Sequence, residues 1–527
     1  MLRDSFHVFD TTLRDGAQRE GITLTVADKL QIAALLDDFG VGFIEGGWPG
    51  SNPKDTEFFQ RASAELDLRH AQLVAFGSTR RAGSDVADDP QVAALRDSGA
   101  PVVTLVAKSD DRHVERALRT TLDENLAMIA DTVAYLRSGG QRVFVDCEHF
   151  FDGYRHNAEY AVRVVRTAAE AGADVVVLCD TNGGMLPNDI ETIVTEVQAA
   201  TGARLGIHAQ DDSGCAVANT LAAVDGGATH VQCTVNGYGE RVGNANLFSV
   251  TAALVLKRDM PVLPEGCLAE MSRVSQAVAE IVNITPGTHQ PYVGVSAFAH
   301  KAGLHASAIK VDPDLYQHID PTLVGNTMRM LVSDMAGRAS IELKAKELGY
   351  DLSGSREHVG ALVERVKSME LAGYSFEAAD ASLELLVREQ LGEQTEFFEV
   401  ESWRAITEMG SSEASSSEAT VKLRVKGERV ATVGEGNGPV NALDDALRRA
   451  LEVVYPELAA LELVDYKVRI LEGSSGTGAV TRVLVESSDG EGEWTTVGVG
   501  ANVIEASWVA LNQAVNYFLF RRGHAQV

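Results

Sequence analysis

What this chain is short of narrows its function before any motif is read. It has five cysteines in 527 residues: Cys147, Cys179, Cys215, Cys233 and Cys267, far apart and with no CxxC pair. An odd number of scattered thiols, with Cys147, Cys179 and Cys233 inside apolar runs, argues against a disulfide frame or a zinc cluster and for buried, reduced side chains. Long hydrophobic runs are missing too. No apolar stretch approaches a membrane span, and the mean hydropathy of −0.04 fits a soluble protein. The start, Met-Leu-Arg-Asp-Ser, runs directly into a strand-like segment, so no signal or transit peptide is expected and a cytoplasmic location is.

Basic charge is also scarce. Lys and Arg total 46 against 75 Asp and Glu, a formal net charge of −29. Nucleic acid and anionic membranes are therefore poor candidate partners, because both need a basic face. Most of the excess acid reads as solvated helix surface. An anionic small molecule stays compatible wherever arginines gather locally. Finally, the first strand is not followed by a glycine-rich phosphate loop, which disfavours a doubly wound open sheet.

What is present is regular. The hydrophobic fraction of 45% can fill complete cores, and the length predicts two or three domains. Up to about residue 260, β-branched runs alternate with amphipathic stretches. The strand-like runs are His7–Asp10, Val41–Gly46, Ala71–Gly77, Val102–Lys108, Arg142–Glu148, Asp174–Asp180, Arg204–Ala209 and His230–Val235. Between them Val26–Phe39, Leu122–Arg137, Ala158–Ala171, Pro187–Ala200 and Gly214–Asp225 repeat apolar residues at helical spacing, with Gly172 and Gly226 as stop signals. Eight strand–helix units in this length predict a (β/α)8 TIM barrel, an α/β fold.

Barrels of this kind keep their chemistry at the C-terminal strand ends. Those ends carry Asp10 with Arg14 and Asp15, then Glu45, Lys108, Glu148, Asp180 with Thr181, His208 with Gln210, and Asn236. Asp180 and Asp211 are the members best suited to capping a following helix. Arg14 and Asp15, taken alone, could equally be a surface ion pair. His208 and Gln210 are two apart at the end of the seventh strand, so both point to one face. With Asp15 from the first strand and Asn244 after the eighth, they make a candidate divalent-cation site of mixed nitrogen and oxygen donors.

Several motifs occur in a telling order: DTTLRDGAQREG, FIEGGWPGSNPKD, DCEHFFDGY, VLCDTNGG, NGYGERVGNANL and GVSAFAHKAGLHASAI. Together they resemble the 2-isopropylmalate synthase/homocitrate synthase family over essentially the whole chain. The resemblance implies an acyltransferase that condenses acetyl-CoA with a 2-oxo acid in a Claisen reaction and hydrolyses the thioester. It implies that Asp15, His208 and residue 210 hold the metal with Asn244 nearby. Arg14 would bind the keto oxygen and carboxylate, and Thr181 the carboxylate. Glu148 and His305 would form the acid–base pair, with Tyr316 close by. EGGWPGSNPKD and DCEHFFDGY resemble the branch that takes pyruvate.

One position departs from the family pattern. Where HxH is usual, the chain has His208-Ala-Gln210, and the following Asn is Asp211. A neutral carboxamide oxygen in place of an imidazole nitrogen makes the site harder, favouring Mg²⁺ or Mn²⁺ over Zn²⁺, with Asp211 or Asp212 as possible compensation.

Residues 263–395 read as a helical linker region. His300 and His305, five apart, would not share a helix face. By resemblance this segment completes the active site of the partner subunit, implying a homodimer. From 396 to 527 a C-terminal α+β domain is expected. Residues 410–419 read as a flexible acidic-serine loop inside it. The segment Ala431–Ala442 aligns with Thr495–Ala506, each copy preceded by strand-like runs and followed by an Ala-rich helix (Leu443–Val453 and Ala506–Phe520). Two βββα repeats predict a pseudo-twofold domain. Its residues alone suggest dimerisation; the resemblance adds allosteric feedback by an end-product amino acid, isoleucine for a pyruvate-using enzyme. Open alternatives are an enzyme for a larger 2-oxo acid, a metal-dependent lyase or aldolase on the same barrel, and a catalytically silent amino-acid sensor.

Overall fold

The computed structural model describes residues 2–352, 354, 356–393, 396–409, 415–471 and 478–523. The chain divides into two compact units, Met1–Phe298 with Ile319–Thr327, and Ala299–His318 with Met328–Val527.

The first unit is a closed parallel barrel of β1 (His7–Asp10), β2 (Phe43–Gly47), β3 (Gln72–Ser78), β4 (Val102–Lys108), β5 (Arg142–Glu148), β6 (Val175–Asp180), β7 (Leu205–Ala209) and β8 (His230–Cys233). β1 closes on β8 with His7 opposite His230 and Asp10 opposite Cys233. Strands covered on both faces read as unbroken apolar runs, and β6 is buried at every residue. Inside the barrel Phe9, Phe43, Phe144, Val175 and Val177 pack together. Helices form the outer ring. The helix Val26–Phe39 starts in a capping box between Thr25 and Asp28 and stops at Gly40, whose φ of 88° suits only glycine.

The helix expected from Gly214 begins instead at Ala216. Gly214 has φ 70°, which breaks the helix, and the Asp211 carboxylate accepts the Ala216 N–H at 2.8 Å. After the helix Ala158–Glu170, Gly172 stops the chain as expected, with φ 104°; at the other expected stop the left-handed residue is Gly227 (φ 107°), not Gly226.

In the second unit a short parallel pair, β9 (Ala299–His300) and β10 (Arg329–Met330), precedes three helices, Arg338–Glu347, Arg356–Leu371 and Asp380–Gln390. His300 lies in β9 and His305 in the helix Gly303–Ile309. Two antiparallel sheets follow: β11 (Glu399–Met409), β12 (Ser415–Val425) and β13 (Glu428–Gly436), then β14 (Glu462–Ile470), β15 (Thr481–Ser488) and β16 (Glu493–Gly500). Each sheet is backed by its own helix, Pro439–Glu452 or Val503–Arg521. The repeat is exact at the level of single bonds. The Thr432 hydroxyl donates to the Ala446 carbonyl at 2.7 Å, and Thr496, its counterpart, donates to Ala510 at 2.8 Å. In both copies a glycine (Gly434, Gly498) lets the strand touch the helix, since a Cβ there would lie 2.3 Å from Ala446 N or 1.9 Å from Ala506 O.

The expected loop at 410–419 needs correction. Residues 410–414 lie outside the described residues, but 415–419 are strand, all paired with β11 and 417–419 with β13 as well. Ladder pairing and burial of Ser417 and Ala419 outweigh the loop-like composition. Among the described residues no helix is long and apolar enough to cross a membrane.

Candidate active site

The C-terminal ends of the barrel strands surround a cavity of about 650 Å³ lined by Arg14, Asp15, Lys108, Glu148, Thr181 and Gln210, among others. Arg14 is no surface ion pair. Its Nε donates to Glu45 Oε2 at 2.7 Å, its Nη1 to Asp15 Oδ2 at 3.0 Å, and its guanidinium lies 4.0 Å from the centre of the Phe76 ring. Glu45, fully buried in the middle of β2, also accepts the Thr11 hydroxyl at 2.7 Å. A planar guanidinium held on two edges and one face has a fixed direction.

Asp15, His208, Gln210 and Asn244 meet beside it, all buried. Asn244 donates to Asp15 Oδ1 at 2.8 Å and to the Tyr238 carbonyl at 2.9 Å. Those two acceptors turn its own Oδ1 to His208 Nε2, 2.7 Å away. Asp15 Oδ2 is 3.6 Å from the same nitrogen. Gln210 Oε1 is buried with no hydrogen-bond partner among the described residues. Gly243 (φ 100°) folds the loop tightly enough to bring Asn244 back here; a Cβ on it would strike the Gly237 carbonyl at 1.8 Å. Burial works against ionising Asp15, but Arg14, His208 and the carboxamides of Asn244 and Gln210 outweigh it and hold the carboxyl below the usual range. One carboxylate, one imidazole nitrogen and two carboxamide oxygens, one of them orphaned, fit a hard divalent cation. No group of three or more His, Cys, Asp or Glu among the described residues is placed to hold a metal, so such a site depends on the two carboxamides.

Glu148, the last residue of β5, is ion-paired with Lys108, its register partner on β4. The Thr181 hydroxyl accepts the His149 N–H at 2.8 Å. His149 has φ 58°, a left-handed conformation that costs a non-glycine residue free energy.

Other polar rim residues serve the fold. Asp10 accepts the Thr12 N–H and hydroxyl at 2.9 and 2.8 Å, and burial pushes its carboxyl up to about 7. Asp180 accepts the N–H groups of Gly184 and Met185. Asp211 caps a helix, and Asp212 pairs with Arg241 at 2.7 Å, so neither compensates at Gln210. Asn236 turns away to Ser275 and Gln290. His305 and Tyr316 belong to the second unit, where their rings stack with centroids 4.2 Å apart.

Three family models match in succession: HMGL-like over residues 5–278, homocitrate synthase post-HMGL domain-like over 292–373, and the LeuA allosteric (dimerisation) domain over 377–519. The chain is 75% identical to an (R)-citramalate synthase of Streptomyces coelicolor, across 99% of this chain and 98% of that one. It is 49% identical to an (R)-citramalate synthase of Aquifex aeolicus, across 99% of both. This chain belongs to the citramalate synthase family. A 2-isopropylmalate synthase of Halalkalibacterium halodurans is more distant, 31% identical across 99% of this chain and 98% of the other.

In this member of the citramalate synthase family, sequence reasoning placed most residues of the rim cluster at the strand ends but missed how they are held. Glu45 and Lys108 were visible only as rim residues, and no local pattern pairs them with Arg14 and Glu148. Asp146 and Gln232 escaped entirely. They lie one pleat below the rim on β5 and β8, where strand alternation points them into the barrel but says nothing of each other. Asp146 is buried beside Glu45, and burial raises its carboxyl to about 7 despite Arg14 and His208 nearby.

Proposed function

We propose that the chain condenses acetyl-CoA with pyruvate and hydrolyses the thioester, giving citramalate and CoA. The observation that carries this reading is the rigid arginine–carboxylate–imidazole cluster at the barrel mouth in a chain 75% identical to a citramalate synthase along its length.

Each residue has a task that its environment supports. Arg14, aimed by Glu45 and Phe76, donates to the carboxylate and keto oxygen of pyruvate, and neutralises charge as that oxygen becomes an alkoxide. The Thr181 hydroxyl already accepts from His149, so its own proton is free to be donated to the substrate carboxylate. The acetyl methyl proton passes to His305 of the partner subunit, which Glu148 orients; Lys108 holds Glu148 in place by its ion pair, and Tyr316 steadies the His305 ring by stacking. Asp15, His208, Gln210 and Asn244 would hold a divalent cation, Mg²⁺ or Mn²⁺ by preference, which would supply Lewis-acid polarisation of the ketone. Val106 and Phe76 wall the cavity beside Arg14, an apolar surface suited to a methyl group.

The proposal extends to a cytoplasmic homodimer in which residues 263–395 complete the partner's active site and residues 396–527 bind isoleucine as feedback inhibitor. The match to the LeuA allosteric (dimerisation) domain supports a dimerising and regulatory role for the C-terminal residues. The test is thiol release from acetyl-CoA with a panel of 2-oxo acids, with and without isoleucine. Pyruvate is expected to give the highest kcat/KM, and isoleucine to lower the rate. Preference for 2-oxoisovalerate would transfer the activity to 2-isopropylmalate synthesis, and no release with any acid would leave an amino-acid sensor.

A further inference from the structure

Barrel interiors are ordinarily filled by layers of branched apolar side chains. This one is apolar at Phe9, Phe43 and Phe144, but the next inward positions are Asp146 on β5 and Gln232 on β8. Both are almost fully buried, at 3% and 1% exposure. Burying a carboxyl and a carboxamide costs free energy unless their hydrogen bonds are made. Here they are made to each other and to one further residue. Gln232 Nε2 donates to Asp146 Oδ1 at 2.8 Å, and Gln232 Oε1 lies 2.7 Å from His208 Nδ1.

The order of atoms in this chain has a chemical consequence. A carboxamide has one accepting end and one donating end, and Asp146 engages the donating end. The accepting end therefore faces His208, and an imidazole nitrogen against a carbonyl oxygen must carry a hydrogen. That puts a hydrogen on Nδ1 and leaves Nε2, which faces Asp15, Gln210 and Asn244 with Asn244 Oδ1 at 2.7 Å, as the nitrogen that gives up its hydrogen when a cation binds.

We propose that Asp146 and Gln232 are positioning residues that hold His208 in its cation-binding tautomer and orientation, Gln232 by direct contact and Asp146 by preventing Gln232 from turning over. This rests on the reading of Asp15, His208, Gln210 and Asn244 as a divalent-cation site. Gln232 with its amide reversed would offer a donor to Nδ1 and confine the ring hydrogen to Nε2, where it blocks a cation. With Gln210 replacing a second imidazole, His208 is the one nitrogen donor of the set, so its tautomer matters more than in a two-histidine site.

The test is Mn²⁺ binding to metal-stripped protein, read as free Mn²⁺ by electron paramagnetic resonance, beside thermal melts of each variant. Asp146→Asn keeps an oxygen that accepts from Gln232 and is expected to bind Mn²⁺ within about threefold of the parent. Asp146→Leu removes it, and Gln232→Met removes the acceptor for Nδ1; both are expected to weaken binding by about 10- to 100-fold, the usual effect of losing a residue that orients a ligand. If Asp146→Leu fails to fold, Gln232→Met against Asp146→Asn decides the matter. Leucine or methionine variants that bind Mn²⁺ as the parent does would overturn the proposal while leaving the cation site intact. Equal weakening in Asp146→Asn and Asp146→Leu would overturn it too, by tracing the effect to charge. A parent protein that binds no Mn²⁺ would overturn the cation site and this inference with it.

Discussion

Arg14 and Glu45 are joined by a partly buried hydrogen bond, Nε to Oε2 at 2.7 Å, between the segment after β1 and the middle of β2. Glu45 has no exposed surface, so its charge is answered inside the protein, and Arg14 is the cation that answers it. The bond leaves one edge of the guanidinium for Asp15 and fixes the direction of the group that the proposed reaction needs most.

Glu45→Gln should therefore act on substrate handling rather than on folding alone. A carboxamide at 45 accepts more weakly and frees Arg14 to move. The KM for pyruvate should rise tenfold or more while the KM for acetyl-CoA stays within about twofold. Equal increases in both constants would argue against a specific link from Glu45 to the 2-oxo acid.

Metal dependence follows from the donors. Activity should vanish with chelator and return with Mg²⁺ or Mn²⁺, because a set dominated by oxygen favours hard cations. Gln210→His should move the preference toward Zn²⁺. Full activity in rigorously metal-free protein would refute the site.

His149 offers a test of backbone geometry. Its φ of 58° aims the N–H at Thr181, and glycine adopts that angle freely. His149→Gly should keep the Thr181 contact and most of the activity, whereas His149→Val should lose on the order of 1–3 kcal/mol of stability and raise the KM for pyruvate. Indistinguishable variants would show that the angle is incidental.

The floor of the barrel predicts acid sensitivity. His7 and His230 face each other with their Nδ1 atoms 3.2 Å apart among Phe9, Phe43 and Phe144. Burial, aided by Arg204 and Arg142, lowers His7 to about 3, and burial lowers His230 as well. In the unfolded chain both titrate near 6.5, so the unfolded state binds more protons below that pH. The stability is complete above about 6.5 and falls as pH drops toward the folded values, by on the order of 2 kcal/mol at pH 5 for His7, with His230 acting in the same direction. Calorimetry at pH 7.5 and 5 should show the melting temperature dropping less in His7→Leu/His230→Leu than in the parent. Parallel drops would remove the pair as the cause.

Subunit sharing can be tested by complementation. Asp15→Ala and His305→Ala should each be inactive, and mixed dimers should recover about a quarter to a half of the parent rate, as expected when one of two sites is whole. Verified mixed dimers without activity would place His305 and Asp15 of the same chain in one site.

The sequence by itself determined the barrel, because strands covered on both faces must be continuous apolar runs and helices between them must carry a stripe. It also determined the paired βββα units, since repeated Thr and Gly positions make the same strand–helix contacts twice. It placed Arg14, Asp15, His208 and Gln210 at strand ends, where a barrel rim gathers polar groups. The tertiary structure alone decided which of those groups face one another. Asn236 ends the same strand region as Asn244 is reached from, yet one turns out to Ser275 and the other in to His208, a difference set by Gly243 and the path of one loop. Asp146 and Gln232 are 86 residues apart and share only a depth inside the barrel. Local pattern follows from the backbone's short periods, whereas contact across a barrel depends on closure, which brings β5, β7 and β8 around one axis and sets the direction of every side chain that meets there.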